Sequence, residues 1–278
     1  MPDVTVRRAL AQAGLAPIDA QVLLAHVLGT DRAWLAAHAT DSILRENADA
    51  FFDLAGRRRD GEPVAYLTGR REFHGLMFDV DRSVLIPRPE TEALVEHALR
   101  ALPPDRALRV LDLGTGCGAI ALVIAHQRPM AEVVATDVSS SALDVTRRNI
   151  ARMKLENVRL LQSDWYDELR HDASRFDLIA SNPPYVADND PHLAEGDVRF
   201  EPGAALRAGP GGLDALRIVI GGAGNRLVAG GILAVEHGYD QAEAVHAMLR
   251  EAGFVAIASF RDLSGIPRVA VARTRALP

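Results

Sequence analysis

Cysteine is almost absent from this chain of 278 residues, in which Cys117 stands alone. A single thiol excludes a disulfide within the chain and argues against a zinc cluster. The nine histidines show no spacing typical of metal ligands, so no metal site is predicted. Long apolar runs are also lacking, since the longest, residues 119–125, is far shorter than the ~18 residues of a membrane span. With no apolar signal segment at its start, the sequence predicts a cytoplasmic protein without a membrane partner.

An excess of positive charge is missing as well, because the formal net charge is −6 and the isoelectric point is about 5.9. Stable binding of nucleic acid, which requires neutralising many phosphates, is therefore not expected. One basic cluster stands out at residues 57–59, with Arg70 and Arg71 nearby. It could touch phosphate on a partner assembly. The favoured interpretation is the C-terminus of a helix before Gly61, where cations complement the helix dipole.

The periodicity of the apolar residues changes near residue 70. Residues 1–71 contain short amphipathic stretches separated by glycines and no convincing strand, which predicts a small all-helical N-terminal domain. Asp31 is predicted to cap one of its helices. Residues 72–86 contain two apolar runs separated by residues 79–83, which predicts a β-hairpin linker between domains.

Residues 87–278 alternate strand and helix patterns, which predicts an α/β domain with a doubly wound, mostly parallel sheet. Seven segments read as strands. The last two follow each other without a helix, so one strand is expected to run antiparallel at an edge. The first helix of this domain is predicted to begin at Pro89, with Glu90 and Glu92 in its positive first turn.

A glycine loop, DLGTGCG, follows the first strand of this sheet and leads into a helix. Gly114, Gly116 and Gly118 allow a sharp turn and a close approach to a ligand, and the helix N-terminus offers unpaired amides. A nucleotide-like ligand is therefore predicted. The loop also fits the dinucleotide pattern G-x-G-x-x-G/A, so by itself it does not distinguish NAD from S-adenosylmethionine.

Three side chains near the loop are candidates for ligand contact. Asp137 ends the next strand and can accept from both hydroxyls of a ribose, although capping of the following helix is an alternative. Trp165, beside Asp164 at the end of the third strand, would lie against an adenine ring, with core packing as its alternative. Cys117 could be a nucleophile at a helix N-terminus, but no histidine accompanies it and a small loop-filling role is favoured.

The sequence SNPPYV follows the fourth strand and leaves Asn182 at the tip of an extended segment. In a doubly wound sheet this strand neighbours the first, so Asn182 should face the glycine loop. The Asn182 side-chain oxygen and the Pro183 carbonyl can accept both hydrogens of a planar NH2 group. Pro183 and Pro184 add no competing backbone donor. Tyr185 could stack over the same group.

Such a cradle suits an amide or aromatic amine that attacks a sulfonium methyl group. Holding both N–H bonds orients the nitrogen and stabilises the positive charge that develops on it. A hydride-transfer enzyme would need a group to manage a proton, which this tip does not supply. A rigid proline turn without catalytic purpose is the alternative. Glu236 and His237 are candidate acceptors for the released proton, as is bulk water.

Four motifs in this order, DLGTGCGAIAL, TDVSSSAL, SDWY and SNPPYV, resemble the amino-methylating branch of the class I S-adenosylmethionine-dependent methyltransferases. LIPRPETE at 85–92, RFEPGAAL at 199–206 and the helical N-terminal domain narrow the resemblance. They are similar to the peptide chain release factor glutamine methyltransferases, the HemK/PrmC family. The resemblance covers nearly the whole chain.

The resemblance implies methylation, by S-adenosyl-L-methionine, of the glutamine side-chain amide in the Gly-Gly-Gln motif of bacterial class I peptide chain release factors. It implies catalytic roles for Asn182, Pro183 and Tyr185, and a glutamine held by residues 182–185. The helical domain would grip the release factor, with IPRPETE near the substrate entrance. The residues implied to bind the methyl donor are Gly114, Thr115, Gly116, Cys117, Gly118, Asp137, Trp165 and Asn182.

Two other functions stay open on the sequence. A nucleic-acid methyltransferase acting on adenine or guanine amines would share the NPPY tip, but should bring a basic surface or an RNA-binding module, and neither is evident. A nicotinamide dehydrogenase or a nucleotide-binding regulatory module would share only the glycine loop.

Overall fold

The structure is a computed structural model that describes residues 4–170, 173–262 and 264–276. The ends of the predicted domains, at residues 1–3 and 277–278, lie outside this part. The described residues form two compact units. One contains the residues up to Arg70 together with Ala194–Phe200, and the other contains Arg71–Leu193 and the residues from Glu201 onward.

The first unit has five α-helices among its described residues: α1 Val6–Gln12, α2 Pro17–Leu28, α3 Arg32–Ala37, α4 Arg45–Arg59 and α5 Val64–Thr68. Their apolar faces meet in a core that includes Leu23, Leu24 and Phe51, all fully buried. The Asp31 carboxylate accepts the Trp34 amide at 2.7 Å, which confirms the predicted cap of α3.

The helical unit also contains a short ladder that the sequence did not predict. Strand β1, Val4–Thr5, pairs antiparallel with β2, Ser42–Ile43. Two residues are too few for an alternating pattern to show, so the prediction of a domain without strands missed this pair.

The basic cluster at residues 57–59 forms the last turn of α4, which confirms the favoured interpretation of a helix end. Its side chains bind within the unit. Arg57 pairs with Glu62 at 2.9 Å, and Arg58 pairs with Asp19 at 2.8 Å and with Asp197 at 2.7 Å. The arginines therefore connect α2 and α4 with the segment Ala194–Phe200.

The predicted hairpin is present as β3, Arg70–Phe73, and β4, Leu76–Asp79. Its predicted turn at residues 79–83 was wrong, because the chain turns at His74 and Gly75, with φ values of 50° and 75°. A two-residue turn with both φ values positive matches the twist of paired strands. Histidine is not a usual residue at this position, so the sequence concealed the turn.

The first helix of the second unit, α6, spans Thr91–Ala101. The prediction that it begins at Pro89 was wrong by two residues. Three successive amides, those of residues 91–93, bond to carbonyls three residues back, so the entry is a tighter turn and the α pattern starts later. Glu90 is the N-cap residue and Glu92 lies in the first turn.

The second unit is built on one seven-stranded sheet, which confirms the predicted doubly wound α/β fold. Its strands are β5 Arg109–Leu113, β6 Glu132–Asp137, β7 Val158–Gln162, β8 Phe176–Ser181, β9 Leu227–Glu236, β10 Val255–Arg261 and β11 Pro267–Arg273. The spatial order is β10-β11-β9-β8-β5-β6-β7. Strands β5 to β9 pair in parallel, and the antiparallel strand is β11, next to the outermost strand β10.

The remaining described α-helices of this unit are α7 Ala119–Gln127, α8 Ser140–Met153, α9 Asp214–Ala223 and α10 Ala242–Glu251. The register of the sheet brings three strand ends together. Leu113, at the end of β5, pairs with Thr136 on one side and with Ser181 on the other. The loops that follow β5, β6 and β8 therefore leave the sheet at the same carboxyl edge, where open α/β sheets bind ligands.

Candidate functional site

A cavity of about 510 Å³ lies at this carboxyl edge, entirely within the second unit. Its walls include eight of the predicted site residues: Gly114, Thr115, Gly116, Cys117, Asp137, Trp165, Asn182 and Pro184. The predicted residues Gly118, Pro183 and Tyr185 do not line it. A volume of this size is typical of a pocket for a small molecule.

The glycine loop forms one wall of the cavity. Its backbone has conformations that residues other than glycine rarely adopt. Gly114, Gly116 and Gly118 have φ values of 71°, 58° and 90°. A Cβ atom at Gly118 would lie 2.9 Å from the side chains of Leu122 and Thr146. The absence of a side chain at Gly118 therefore makes room for these two side chains, and Gly118 does not line the cavity.

A buried carboxylate that sequence reasoning missed supports the loop. Asp112 is fully buried at the end of β5, and its Oδ2 accepts the Thr115 hydroxyl at 2.7 Å and the Ala121 amide at 3.2 Å. Burial raises the pKa of Asp112 to about 7, against the lowering effect of these two hydrogen bonds. The sequence contains one signal for this role, an acidic side chain inside the apolar strand pattern RVLDL. A buried acid is unusual unless it has hydrogen-bond partners, which here belong to the loop and the helix after it.

Asp137 ties the end of β6 to the glycine loop. Its Oδ2 accepts the Gly116 amide and its Oδ1 accepts the Ser139 amide, each at 2.9 Å. The N-cap of α8 is Ser139, whose hydroxyl accepts the Ala142 amide, so Ser139 fills the capping role considered for Asp137. Burial raises the pKa of Asp137. Each carboxylate oxygen keeps a lone pair for a further donor at the cavity wall.

The sequence allows two interpretations of Cys117 and two of Trp165. The Cys117 side chain is buried, and burial raises the pKa of its thiol to about 12, so the thiol stays protonated and fills space in the loop. Trp165 has a φ of 48° and lines the cavity, while part of its ring packs against the core. Its two predicted roles, ligand contact and core packing, are therefore compatible.

Asn182 lies at the end of β8 with its amide held on one side only. Its Nδ2 donates to the Thr91 hydroxyl at 3.1 Å, and both residues line the cavity. Among the residues that the structure describes, neither Asn182 Oδ1 nor the Pro183 carbonyl accepts a hydrogen bond. The Asn182 oxygen is thus available to a group bound in the cavity, whereas the Pro183 carbonyl belongs to a buried residue that does not line it.

Tyr185 points into the protein. Its hydroxyl donates to Glu236 Oε1 at 3.1 Å, its backbone carbonyl accepts from Gln241, and its ring packs against the core. Burial raises the pKa of the Tyr185 hydroxyl. Stacking of this ring on a substrate stays a prediction. The buried residues Glu236 and His237, considered as proton acceptors, do not line the cavity.

The motifs IPRPETE and RFEPGAAL meet through Glu201, whose side chain is fully buried. One carboxylate oxygen accepts the Ile86 amide at 3.1 Å and the other accepts from the Arg88 guanidinium. Both motifs contribute wall residues, including Arg88 and Pro202. Sequence reasoning did not assign a role to Glu201.

Within residues 4–170, 173–262 and 264–276, no group of three or more His, Cys, Asp or Glu side chains is arranged to hold a metal ion. No helix described there combines the length and apolarity needed to cross a membrane. The predicted absence of metal and of a membrane partner stays a prediction.

Comparisons with known proteins cover both units. Residues 5–69 match the family model described as the PrmC N-terminal domain, and residues 90–201 match the one described as the methyltransferase small domain. The chain is 52% identical over 260 residues to the release factor glutamine methyltransferase of Bordetella pertussis, covering 94% of this chain and 96% of the relative. It is 44% identical over 255 residues to that of Escherichia coli strain K12, covering 92% and 91%.

Solved structures share the sheet architecture. A methyltransferase from Pyrococcus furiosus superposes with a TM-score of 0.56 at 18% identity, covering 81% of this chain and 99% of that one. The T. thermophilus 16S rRNA N2 G1207 methyltransferase, solved in complex with AdoMet and guanosine, superposes with a TM-score of 0.53 at 24% identity. It covers 74% of this chain and 50% of its own. At these identities the likeness shows a common fold.

Proposed function

Because this chain belongs to the release factor glutamine methyltransferase family, we propose that it methylates the glutamine of the Gly-Gly-Gln motif in bacterial class I peptide chain release factors. The methyl donor is S-adenosyl-L-methionine, and the acceptor atom is the side-chain amide nitrogen. Membership of a methyltransferase family removes the nicotinamide dehydrogenase alternative. The observation that supports the chemistry above all is the available acceptor Asn182 Oδ1 on the cavity wall.

The cavity wall has the groups that the donor requires. Asp137 presents carboxylate lone pairs suited to the two ribose hydroxyls, and Trp165 presents an aromatic surface suited to adenine. The glycine loop from Gly114 to Gly118 brings backbone close to the same space. When bound, the donor supplies an electrophilic sulfonium methyl group.

The residues of the NPPY tip act on the acceptor. An amide nitrogen is a weak nucleophile because its lone pair is delocalised into the carbonyl group. Asn182 Oδ1 and the Pro183 carbonyl accept its two N–H groups, which orients the nitrogen in line with the methyl group and stabilises its developing positive charge. Since Glu236 and His237 do not line the cavity, we assign the released proton to bulk water.

The partner of this reaction is a protein. We assign contact with the release factor to the helical unit, which matches the PrmC N-terminal domain. The basic side chains Arg57 and Arg58 are engaged in ion pairs within that unit, which gives no support to the nucleic-acid alternative. A cytoplasmic location, where release factors act, stays a prediction.

The decisive experiment incubates the protein with isotopically labelled methyl donor and either a purified class I release factor or total RNA. We expect label on the tryptic peptide that contains Gly-Gly-Gln, located on the glutamine by mass spectrometry. A release factor with alanine in place of that glutamine is the matched control and should stay unlabelled. Label found on RNA alone would overturn the proposal in favour of a nucleic-acid methyltransferase.

A further inference from the structure

Gln241, which directly precedes α10, joins three loops through its side-chain amide. Its Nε2 donates to the Tyr185 carbonyl at 2.9 Å and to the Gly212 carbonyl at 3.1 Å, and its Oε1 accepts the Gly238 amide at 2.8 Å. Tyr185 ends the NPPY tip, Gly212 lies in the loop before α9, and Gly238 lies in the loop after β9. Gln241 itself does not line the cavity. A side chain outside the cavity therefore connects these three loops.

The partners of Gln241 determine how its amide is oriented. A backbone carbonyl can only accept and a backbone amide can only donate, so the NH2 group must face Tyr185 and Gly212. The two carbonyls then use both N–H bonds of this group. Gly212 and Gly238 are buried, and buried backbone groups require a hydrogen-bond partner. The three bonds are therefore specific to a glutamine in this orientation.

Two of the loops that Gln241 joins are in direct backbone contact. The Val186 amide donates to the Leu206 carbonyl and the Ala208 amide donates to the Val186 carbonyl, each at 2.9 Å. A Cβ atom at Gly212 would collide with the Tyr185 carbonyl oxygen, so the backbones approach more closely than a side chain allows. Gln241 thus holds both chains beside the place where they pair.

Asn182 lies between two points at which the chain is fixed. On one side is Ser181, the last residue of β8, which pairs within the sheet. On the other side is Tyr185, whose carbonyl is held by Gln241. The two residues between Asn182 and Tyr185 are prolines, whose rings fix φ. A shift of Tyr185 is therefore passed on to Asn182, because the residues between them have little freedom to absorb it.

We propose that Gln241 is a positioning residue for methyl transfer. By holding Tyr185, it keeps the Asn182 oxygen at the place where the glutamine amide binds. By holding Gly212, it keeps the loop before α9, of which residues 207–209 line the cavity, next to the NPPY tip. This role rests on the proposed function, because Asn182 is the group that is positioned. Gln241 acts from outside the cavity and does not touch the reacting atoms.

Gln241→Glu separates positioning of the tip from support of the turn before α10. The variant keeps an oxygen for the Gly238 amide and adds a negative charge at a helix N-terminus, which favours the helix. It loses the NH2 group and places an oxygen against the Tyr185 and Gly212 carbonyls. We expect kcat to fall about 10- to 100-fold, since a small displacement of a reacting group has an effect of this size. A wild-type kcat would overturn the proposal, because Gln241 would then support only the turn.

Two further variants control for the added charge. Gln241→Met is neutral and similar in length, so it loses the bonds alone, and its kcat should fall about tenfold or more. Gln127→Glu makes the same substitution at an exposed residue outside the cavity wall, whose Nε2 lies 3.2 Å from the His74 ring, and it should keep the wild-type rate. A wild-type rate in Gln241→Met would overturn the positioning role.

Binding of S-adenosylhomocysteine shows whether a loss of rate comes from the tip or from general disruption of the fold. The Kd should change by less than about threefold in Gln241→Glu and Gln241→Met, because the Gln241 side chain bonds to loops other than the glycine loop and Asp137. A loss of binding as large as the loss of kcat would assign Gln241 to overall stability and contradict the proposal.

Hydrogen exchange, measured by nuclear magnetic resonance, tests the role of Gln241 without a substrate. The amides of Val186 and Ala208 are bonded where the two loops pair. They should exchange about tenfold faster in Gln241→Met than in wild type, whereas the amides of β6 should keep their rates. If wild type methylates no release factor, the proposed function fails, and the exchange rates still decide whether Gln241 holds the loops. Equal rates for Val186 and Ala208 in the two proteins would refute this.

Discussion

Single residues at the strand ends line the cavity and differ in the groups that they offer to a bound molecule. Asn182 offers an available oxygen at the end of β8, and Asp137 holds the glycine loop at the end of β6. The two residues act on different partners in the proposed reaction. Their substitution should therefore separate catalysis from binding of the donor.

Asn182→Ala removes one of the two acceptors proposed for the glutamine amide. We expect the single-turnover rate of methyl transfer to fall about 100-fold or more, as for other preorganised groups that stabilise developing charge. The Kd for S-adenosylhomocysteine, measured by calorimetry, should change by less than about threefold, since at most one hydrogen bond is lost. In contrast, Asp137→Ala should weaken that binding about tenfold or more, because a charged acceptor is lost. Similar rates in Asn182→Ala and wild type would exclude the cradle.

Gly118 gives a prediction about backbone conformation. Gly118→Ala should lower the free energy of unfolding by about 1 kcal/mol for its left-handed φ and by roughly 1–3 kcal/mol more for crowding. Gly75→Ala is the matched control, because Gly75 has a φ of 75° with no atom within 4 Å of a Cβ. Urea unfolding of both variants measures the difference. If they lose the same stability, the packing of Leu122 and Thr146 tolerates a methyl group.

Residues at strand ends could be predicted from the sequence, whereas residues that act through distant neighbours could not. Asn182 and Asp137 follow apolar strands, and adjacent strand ends of a doubly wound sheet meet. Glu201, by contrast, acquires its role from Ile86, 115 residues away in sequence. In the sequence Thr91 is simply part of a helix start. No local sequence pattern links it to Asn182. Sequence alone therefore predicted part of the cavity wall and missed Thr91 on the wall and Glu201 behind it.

At the scale of elements, two loops that bound the cavity depend on one carboxylate. Glu201 accepts from the Ile86 amide and the Arg88 side chain, and it is followed directly by Pro202 on the cavity wall. Removing one partner of a buried ion pair leaves a charge without compensation and therefore costs more than disrupting an exposed pair, which water screens. The helix start at Thr91 comes directly after this loop.

Glu201→Gln should therefore lower the free energy of unfolding by about 2 kcal/mol, the value of a hydrogen bond to a charged group. It should also weaken binding of S-adenosylhomocysteine, because the two loops lose their common anchor. Glu96→Gln, which disrupts the exposed pair with Arg100 on α6, is the control and should cost less than about 0.5 kcal/mol. Equal costs in denaturant titrations would show that the Glu201 contacts add no stability beyond a surface pair.

Element boundaries were the least predictable part of the fold. The hairpin and α6 were both predicted, but the hairpin turn lies at His74–Gly75 and α6 begins at Thr91. In both cases a few backbone hydrogen bonds determine where the element begins or turns. The pattern of side chains carries little information about these bonds. The mostly parallel arrangement of the strands followed from their alternation with helices, which is a property of the whole pattern.

For the molecule as a whole, two buried acids couple stability to pH. Burial raises the pKa of both Asp112 and Glu236 to about 7, from ordinary values of 3.8 and 4.5. At pH values between the unfolded pKa of each acid and its folded pKa, the folded chain binds more protons than the unfolded chain. The stability from each acid is thus fully present below its unfolded pKa and is lost as the pH rises through about 7.

Asp112→Asn tests this coupling. Asparagine stays neutral, so the wild type should lose stability relative to the variant by up to about 1.4 kcal/mol per pH unit between about pH 5 and pH 7. Denaturant titrations of both proteins across that pH range measure the difference between their free energies of unfolding. The contributions of the other acids are the same in both proteins and cancel in this difference. A difference that stays constant with pH would mean that Asp112 has an ordinary pKa.

Because of the segment Ala194–Phe200, the first unit is not one continuous stretch of the sequence. The chain passes from one unit to the other after Arg70, after Leu193 and again after Phe200. A chimera that exchanged only the residues up to Arg70 with those of a relative would separate Arg58 from its own partner Asp197. A recombination between relatives that keeps this ion pair therefore has to transfer the segment Ala194–Phe200 together with the residues up to Arg70.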